Sequence, residues 1–151
     1  AMTMLNKQDG DDASFLDIAE CISTISANPK ADLLELWKRI AFSIAVNNTD
    51  CHLRNHGFIL TEDGWRLSPA YDITPNPFDS YMALSINESN KSPDYQLLID
   101  TAPYYGIEAP KEMIEEVRTV VADNYKQWAG MAKIPRSEII KMSRIFERGL
   151  S

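Results

Sequence analysis

Three features of the sequence together predict a mostly helical domain that carries one small β-hairpin. Apolar residues recur at the three- and four-residue spacing of an amphipathic helix over about 14–27 and 32–47, and again in the C-terminal third. Between these regions, two short apolar runs flank Glu62-Asp63-Gly64, whose composition is that of a tight turn. The 151 residues suffice for one domain with its own core, so we expect a single unit.

The first two helices are predicted by their ends as well as by their periodicity. Ser14 and Asp17 resemble a capping box at the start of the helix over about 14–27, and Asn28-Pro29 supplies a stop after it. The helix over about 32–47 carries a broad apolar face. We therefore expect this second helix to be central to the core.

The hairpin is followed by an irregular segment and then by more helices. Four prolines deny a long helix to 68–94, where 82–86 is the one predicted strand. The remaining helices are expected at about 95–103, 110–129 and 136–148. Proline is favoured in the first turn of a helix and glycine at its end, and the boundary residues here are Pro110, Pro135, Gly106 and Gly130.

Charge and composition exclude several classes of protein. Twenty-two acidic residues against fifteen basic ones give a net charge of −7, which disfavours direct nucleic-acid contact because that contact needs a positive surface. No apolar run approaches the roughly 18 residues that cross a bilayer, so we expect no membrane partner. The first residues lack the order of a signal peptide, and the two cysteines lie in different local contexts. We therefore expect a cytoplasmic protein with reduced thiols.

A dense polar segment, residues 47–56, follows the second predicted helix. Asp50 and Asn55 within it are five residues apart, the spacing of the catalytic base and the metal-binding Asn in protein kinases. Asp72 comes soon after the hairpin, which returns the chain close to where it started. We expect the two carboxylates and the Asn55 amide to converge within reach of one magnesium ion on an open face.

These residues carry a family resemblance. The pattern Asn48-Thr49-Asp50-x-His52-x-x-Asn55, followed by Phe58 and then Gly64-Trp65-x-Leu67-x-Pro69-x-Tyr71-Asp72, resembles the C-terminal lobe of HipA-like serine/threonine kinases. Those kinases are the toxins of bacterial toxin–antitoxin pairs. The clear match covers about 36–77, and the flanking helices resemble the family in order and length. The resemblance implies the helical C-terminal lobe of a kinase-like fold, with a hairpin carrying the catalytic segment.

The resemblance also implies roles for individual residues. Asp50 would be the catalytic base, Asn55 and Asp72 the magnesium ligands, and His52 a catalytic-loop residue near the transferred phosphate. Arg54 would contact phosphate, or else bridge to a nearby acid. The implied cofactors are ATP and Mg²⁺. The implied partners are a protein serine or threonine substrate and an antitoxin that binds DNA.

The sequence departs from the family in its length. HipA-like kinases are far longer and hold the nucleotide between this lobe and an N-terminal lobe with a glycine- and serine-rich phosphate loop and a lysine. The six glycines of this sequence, at 10, 57, 64, 106, 130 and 149, are too dispersed to form such a loop. We expect the N-terminal lobe to be a missing partner of a fragment, a truncated product or half of a split kinase, inactive alone.

Other interpretations remain open at this point. Two other functions are a non-catalytic, kinase-derived binding module and a metal-dependent hydrolase that uses Asp50, His52 and Asp72 as ligands. Structural roles are also available, since Asp50 could cap the turn after the second helix and Asp72 could be a turn residue. Likewise, Asn55 could be a structural amide and His52 a hydrogen-bonding scaffold.

Overall fold

The computed structural model describes residues 1–8 and 11–149, which form six α-helices, two 3₁₀ turns and one two-stranded antiparallel sheet. The helices are α1 (Met2–Leu5), α2 (Phe15–Ile25), α3 (Pro29–Ala45), α4 (Tyr95–Thr101), α5 (Pro110–Met131) and α6 (Arg136–Gly149). The strands are β1 (Phe58–Thr61) and β2 (Gly64–Leu67), and the 3₁₀ turns are Leu53–Asn55 and Ala102–Tyr105. The mostly helical class with one hairpin is confirmed.

Helix α3 runs through the centre of the core, as predicted. Its residues Leu36, Trp37 and Ile40 are fully buried, and they pack between α2 and α5. Burial of large apolar side chains is the main stabilising contribution to such a fold, so α3 is the element that the others surround. The polar segment 47–56 follows directly after Val46, the C-cap residue of α3, which places that segment next to the core.

The predicted capping box at the start of α2 is present. The Ser14 hydroxyl accepts a hydrogen bond from the Asp17 backbone N–H at 3.2 Å, and the Asp17 carboxylate accepts one from the Ser14 N–H at 2.8 Å. The predicted start of α3 at 32 is wrong. Asn28 caps α3 by accepting a bond from the Ala31 N–H, and Pro29 occupies its first turn, where a missing N–H has no consequence.

The hairpin has the predicted position and a regular register. Phe58 pairs with Leu67 and Thr61 with Gly64. Gly64 has φ +125°, a conformation that side-chain-bearing residues rarely adopt, so this glycine is what permits the tight turn. The Ala27 N–H donates to the Trp65 carbonyl at 2.8 Å, which ties β2 to the connection between α2 and α3.

The predicted strand at 82–86 does not form. Its apolar side chains Met82, Leu84 and Ile86 are buried in the core, which explains the alternating pattern. However, the backbone N–H groups of Met82 and Ile86 donate to carbonyls in the loop that follows. The β-type backbone pairing of this segment, within the described residues, is one bridge from Ser85 to Ser14. Alternation indicated burial on one side, whereas a strand also needs a neighbour to pair with.

The C-terminal helices lie close to their predicted bounds. Helix α4 passes into a 3₁₀ turn that ends at Gly106, which has φ +67° as the predicted helix end requires. Gly130 was predicted as another helix end, but α5 continues through it to Met131. Lys133 takes the left-handed conformation instead, with φ +57°. Among the described residues, no helix is both long enough and apolar enough to cross a membrane.

Candidate active site

The polar segment begins where α3 ends and is held by a long loop, residues 76–83. Asn47 has φ +52°, and its side-chain N–H donates to the carbonyls of Asn76 and Asp79 at 2.5 and 3.1 Å. The Asn76 N–H donates to the Asn47 carbonyl at 2.9 Å, and the Ala83 N–H donates to the Thr49 carbonyl at 2.8 Å. Both ends of the loop are therefore fixed to the backbone just before Asp50.

Asp50 and Asn55 bracket a short loop that contains a 3₁₀ turn. The Asn55 side-chain N–H donates to the Asp50 carbonyl at 2.8 Å, which orients the amide. Asn55 is 8% exposed, and none of the hydrogen bonds among the described residues uses its Oδ1. The Asp50 side chain is 71% exposed. The five-residue spacing thus gives a fixed amide oxygen and an accessible carboxylate.

His52 and Arg54 are in contact within this loop. An Arg54 Nη lies 3.2 Å from His52 Nε2, and because a guanidinium only donates, Nε2 is the acceptor of a neutral imidazole. His52 Nε2 is also 3.9 Å from the Asp50 carboxylate, which in this tautomer is a contact without an ion pair. His52 therefore lies between the accessible carboxylate and the guanidinium.

Asp72 is brought to the polar segment by the hairpin and held by both of its neighbours. The Tyr71 hydroxyl donates to the Arg54 carbonyl at 2.6 Å, and Ile73 packs against the small apolar cluster formed by the end of α3 and α5. Asp72 itself has φ +55°, an uncommon conformation for a residue other than glycine. No hydrogen bond or ion pair among the described residues engages its carboxylate.

Gly57 allows this close approach. A Cβ atom at this position would lie 3.0 Å from Ser68 Oγ and 3.3 Å from the Tyr71 hydroxyl. The Ser68 N–H donates to the Gly57 carbonyl at 2.9 Å, and Arg39 on α3 donates to the Ser68 carbonyl at 2.6 Å. The segment leading to Asp72 is therefore pinned between the polar segment and α3.

A small cavity of about 20 Å³ lies between these segments, and both Asn55 and Asp72 line it. The structure thus brings two of the three predicted magnesium-site residues together. The Asp50 side chain is not among the lining residues, and its connection to the cavity is through its carbonyl bond with Asn55. Within the described part of the chain, no three His, Cys, Asp or Glu side chains lie close enough to hold a metal ion. Neither the hydrolase ligand set nor a zinc site is assembled there.

Two other titratable groups beside the site are buried and uncharged. Burial raises the pKa of the Cys51 thiol to about 11, so it stays protonated and packs as an apolar group. His56 is 5% exposed and makes an edge-to-face contact with the Phe15 ring. Burial, with a smaller contribution from the positive charge of Arg39, lowers the pKa of His56 to about 3.

His56 gives a prediction for acid stability. Unfolded His56 takes up a proton near its ordinary pKa of 6.5, whereas folded His56 stays neutral until about pH 3, so its contribution is complete above pH 6.5 and is lost as the pH falls. We expect this residue to remove about 1.5 kcal/mol of unfolding free energy between pH 6.5 and about pH 5. Urea denaturation across this range measures the loss. His56→Gln is the control and has a flatter profile there; an equally steep profile would contradict the assignment.

Sequence reasoning missed the residues that hold the site together. Arg39 is one of several charged residues of α3, and no local pattern indicated its burial, whereas Gly57 directly follows the polar cluster, which was the available signal. Asn47 gave no signal of its role, because its partners are 29 and 32 residues further along the chain.

The architecture is that of a mostly helical domain with one hairpin, and comparison with known proteins gives its family. Residues 1–128 match the family model of the HipA-like C-terminal domain. The chain therefore belongs to the HipA-like C-terminal domain family, and the resemblance carried by residues 48–72 is confirmed.

Two relatives are similar to parts or all of this chain. Over 60 residues it is 32% identical to a protein of Sinorhizobium fredii described as "Putative kinase Y4mE", a match that spans 40% of this chain and 14% of that protein. Its fold is similar to a chain of the Shewanella oneidensis toxin–antitoxin complex of HipA, HipB and operator DNA, with a TM-score of 0.67 and 17% identity. That match covers 99% of this chain and 37% of the other. This chain therefore spans well under half of the length of these relatives.

Proposed function

We propose that this domain is the catalytic C-terminal lobe of a HipA-like protein serine/threonine kinase, which transfers the γ-phosphate of ATP to a protein hydroxyl. The observation that supports the proposal most is the shared cavity of Asn55 and Asp72, where an amide oxygen and a carboxylate have no hydrogen-bond partner among the described residues. Family membership and the similarity to a kinase-named relative point the same way. The fold would then be a kinase-like C-terminal lobe.

Asn55 and Asp72 together offer a donor set that fits magnesium. Because the cavity is only about 20 Å³ and Asp72 is exposed, the ion with its waters and the phosphates would lie outside the cavity, on the open side of these two residues. Mg²⁺ prefers oxygen ligands, keeps several waters, and is usually held by one or two protein groups together with substrate phosphates. Asn55 Oδ1 and the Asp72 carboxylate would be those groups. Bound magnesium would supply neutralisation of the phosphate charge during transfer.

Asp50 would act on the other reactant. Its carboxylate is 71% exposed and outside the cavity, so a substrate hydroxyl can reach it, and it would accept the hydroxyl proton during transfer. His52, whose ring lies 3.9 Å from the Asp50 carboxylate, would be a catalytic-loop residue near the transferred phosphate. Arg54, which touches His52, would contact that phosphate.

The proposed reaction needs partners beyond these 151 residues. We propose an N-terminal lobe that holds the nucleotide from the opposite side, a protein substrate, and a DNA-binding antitoxin, with nucleic acid contacted through the antitoxin. Because ATP is abundant in the cytoplasm, we place the reaction there. Transfer of labelled γ-phosphate to protein by the longest natural form that contains these residues tests the proposal, and Asp50→Asn is the matched inactive variant. Transfer undiminished in that variant would overturn it.

A further prediction concerns these 151 residues alone. Their dispersed glycines do not form a phosphate-binding loop, so these residues offer half of a nucleotide site. We therefore expect magnesium-ATP to bind with a dissociation constant above the micromolar range and phosphate transfer to be undetectable. Isothermal titration calorimetry measures the binding, with Asp72→Asn as the control for any residual magnesium-dependent heat. Micromolar binding would mean that the chain holds a second phosphate-binding element.

A further inference from the structure

The cavity that Asn55 and Asp72 line has a second wall that the proposed function does not use. Arg39 from α3, Asn48 and His56 also line it. A water molecule needs about 10–15 Å³ of such space together with two to four polar partners. At about 20 Å³ the cavity has room for one water molecule and for no larger ligand.

The three side chains present polar atoms without partners. Arg39, Asn48 and His56 are 8%, 3% and 5% exposed, and within residues 1–8 and 11–149 no hydrogen bond is made by Arg39 Nη1, Asn48 Oδ1 or either ring nitrogen of His56. Buried polar atoms are nearly always paired with protein or ordered water, because an unpaired one is destabilising. Three side chains that carry such atoms line one cavity, which indicates a shared partner for one atom of each.

The remaining contacts of these side chains hold them in place. Arg39 donates through Nε to Glu35 at 2.8 Å and through Nη2 to the Ser68 carbonyl at 2.6 Å. The Asn48 amide N–H donates to Ser43 Oγ at 3.3 Å. The unpartnered atoms cannot turn to solvent unless these bonds break, so the cavity is a built site.

The donor and acceptor pattern selects water over an ion. Arg39 Nη1 donates, Asn48 Oδ1 accepts, and a neutral imidazole offers one donor and one acceptor. An anion would meet the Asn48 oxygen, and a cation would meet the Arg39 guanidinium. Water both donates and accepts, so it satisfies all three side chains.

We infer that this cavity binds one ordered water molecule that joins Arg39, Asn48 and His56 to the wall formed by residues 70–73. Arg39 already holds the Ser68 carbonyl, so the water extends the connection of α3 to the Asp72 segment. This connection then helps to hold the backbone of Asp72 in its uncommon conformation, with φ +55°. Arg39, Asn48 and His56 are positioning residues for Asp72, a consequence that rests on the proposed function.

The water itself can be tested without any assay of activity. A crystal structure of this chain at atomic resolution should contain one water within hydrogen-bond distance of at least two of the three side chains. His56→Gln, which keeps a donor and an acceptor, should retain it, and His56→Phe should lose it. Tyr105→Phe is the matched control, because its buried hydroxyl also lacks a partner but does not line the cavity. A dry cavity or an ion in the wild-type protein would overturn the inference.

A double-mutant cycle gives a second measurement in solution. If the water joins Asn48 to His56, the effects of Asn48→Ala and His56→Phe on the unfolding equilibrium constant should deviate from their product by at least about twofold. The pair Asn48→Ala and Tyr105→Phe should multiply within error. Independent effects of Asn48 and His56 would contradict a shared partner.

The positioning role is tested in the form that transfers phosphate. His56→Phe should raise the magnesium concentration for half-maximal rate by about tenfold, the usual size for a residue that orients a metal ligand, and His56→Gln should restore it. A role in folding alone would lower the maximal rate at an unchanged magnesium requirement, which would overturn the positioning role. An ordered water in a protein without transferase activity would support the site and reject the proposed function. Transferase activity in a protein whose cavity holds no ordered water would reject the water site and leave the proposed function standing.

Discussion

We expect Asp50→Asn to lower the turnover of the proposed kinase by about 10²–10⁴, the usual contribution of a general acid–base residue, and to leave magnesium-ATP binding intact. The reason is the position of its carboxylate, which is 71% exposed and lies outside the cavity of Asn55 and Asp72. Under the proposed function, this group would act on the substrate hydroxyl in the transition state and would make no contribution to holding the nucleotide. Steady-state turnover and nucleotide titration of the same preparation measure both quantities.

Asp72→Asn is the matched comparison. The Asp72 carboxylate faces no protein partner among the described residues and would hold magnesium before reaction, so its loss weakens magnesium-dependent ATP binding and also stops transfer. The two variants therefore differ in a binding assay even when both are inactive. Equal loss of magnesium-ATP affinity in both, with circular dichroism unchanged, would show that Asp50 is itself a metal ligand.

Asp32→Ala has the largest expected effect on stability, a loss of about 3 kcal/mol. Asp32 is 3% exposed and accepts hydrogen bonds from Arg66, the Leu67 N–H and the Ser26 hydroxyl at 2.6 to 3.1 Å. It thereby joins α3 to β2 and to the end of α2. The loss lies at the lower end for a buried ion pair because the Arg66 side chain is 35% exposed and can turn to water.

Urea denaturation measures the effect of Asp32→Ala. Asp100→Ala removes an exposed carboxylate that contacts Gln96 on α4, and this control should change the unfolding free energy by less than about 0.5 kcal/mol. Burial alone would raise the pKa of Asp32, but its hydrogen bonds with Arg66, Ser26 and Leu67 outweigh burial and hold the pKa below its ordinary value. Its contribution is therefore complete above that ordinary value and is lost as the pH falls through the folded pKa. A loss equal to that of Asp100→Ala would refute the role of Asp32.

Local signals predicted the parts of the fold that are determined locally. The capping box of α2 and the turn at Gly64 depend on residues close in sequence, and both were found. The strand predicted at 82–86 failed because pairing depends on a distant neighbour, which no local pattern reports. The start of α3 failed because Asn-Pro ends one helix and equally caps the next.

The candidate site divides in the same way. The spacing of Asp50 and Asn55 is visible in the sequence. The position of Asp72 just after the hairpin correctly predicted that it lies near Asn55. The sequence could not report that the Asn55 amide bonds to a backbone carbonyl, nor that the Asp50 side chain lies outside the cavity. Backbone carbonyls carry no sequence signature, and the direction of one side chain on an irregular loop depends on tertiary contacts.

The loop of residues 76–83 is anchored at both ends to the backbone of Asn47 and Thr49, while its Phe78 and Tyr81 are 91% and 69% exposed. These anchors place one constraint on the segment that they hold and a different one on the residues between them. Lengthening an anchored loop is inexpensive, since each doubling adds only about 0.6 kcal/mol of closure entropy. The exposed residues between the anchors, Phe78 and Tyr81, can therefore be exchanged while the segment that leads into Asp50 keeps its place. Asp79, whose carbonyl accepts from Asn47, and the buried Met82 are the fixed positions of the loop.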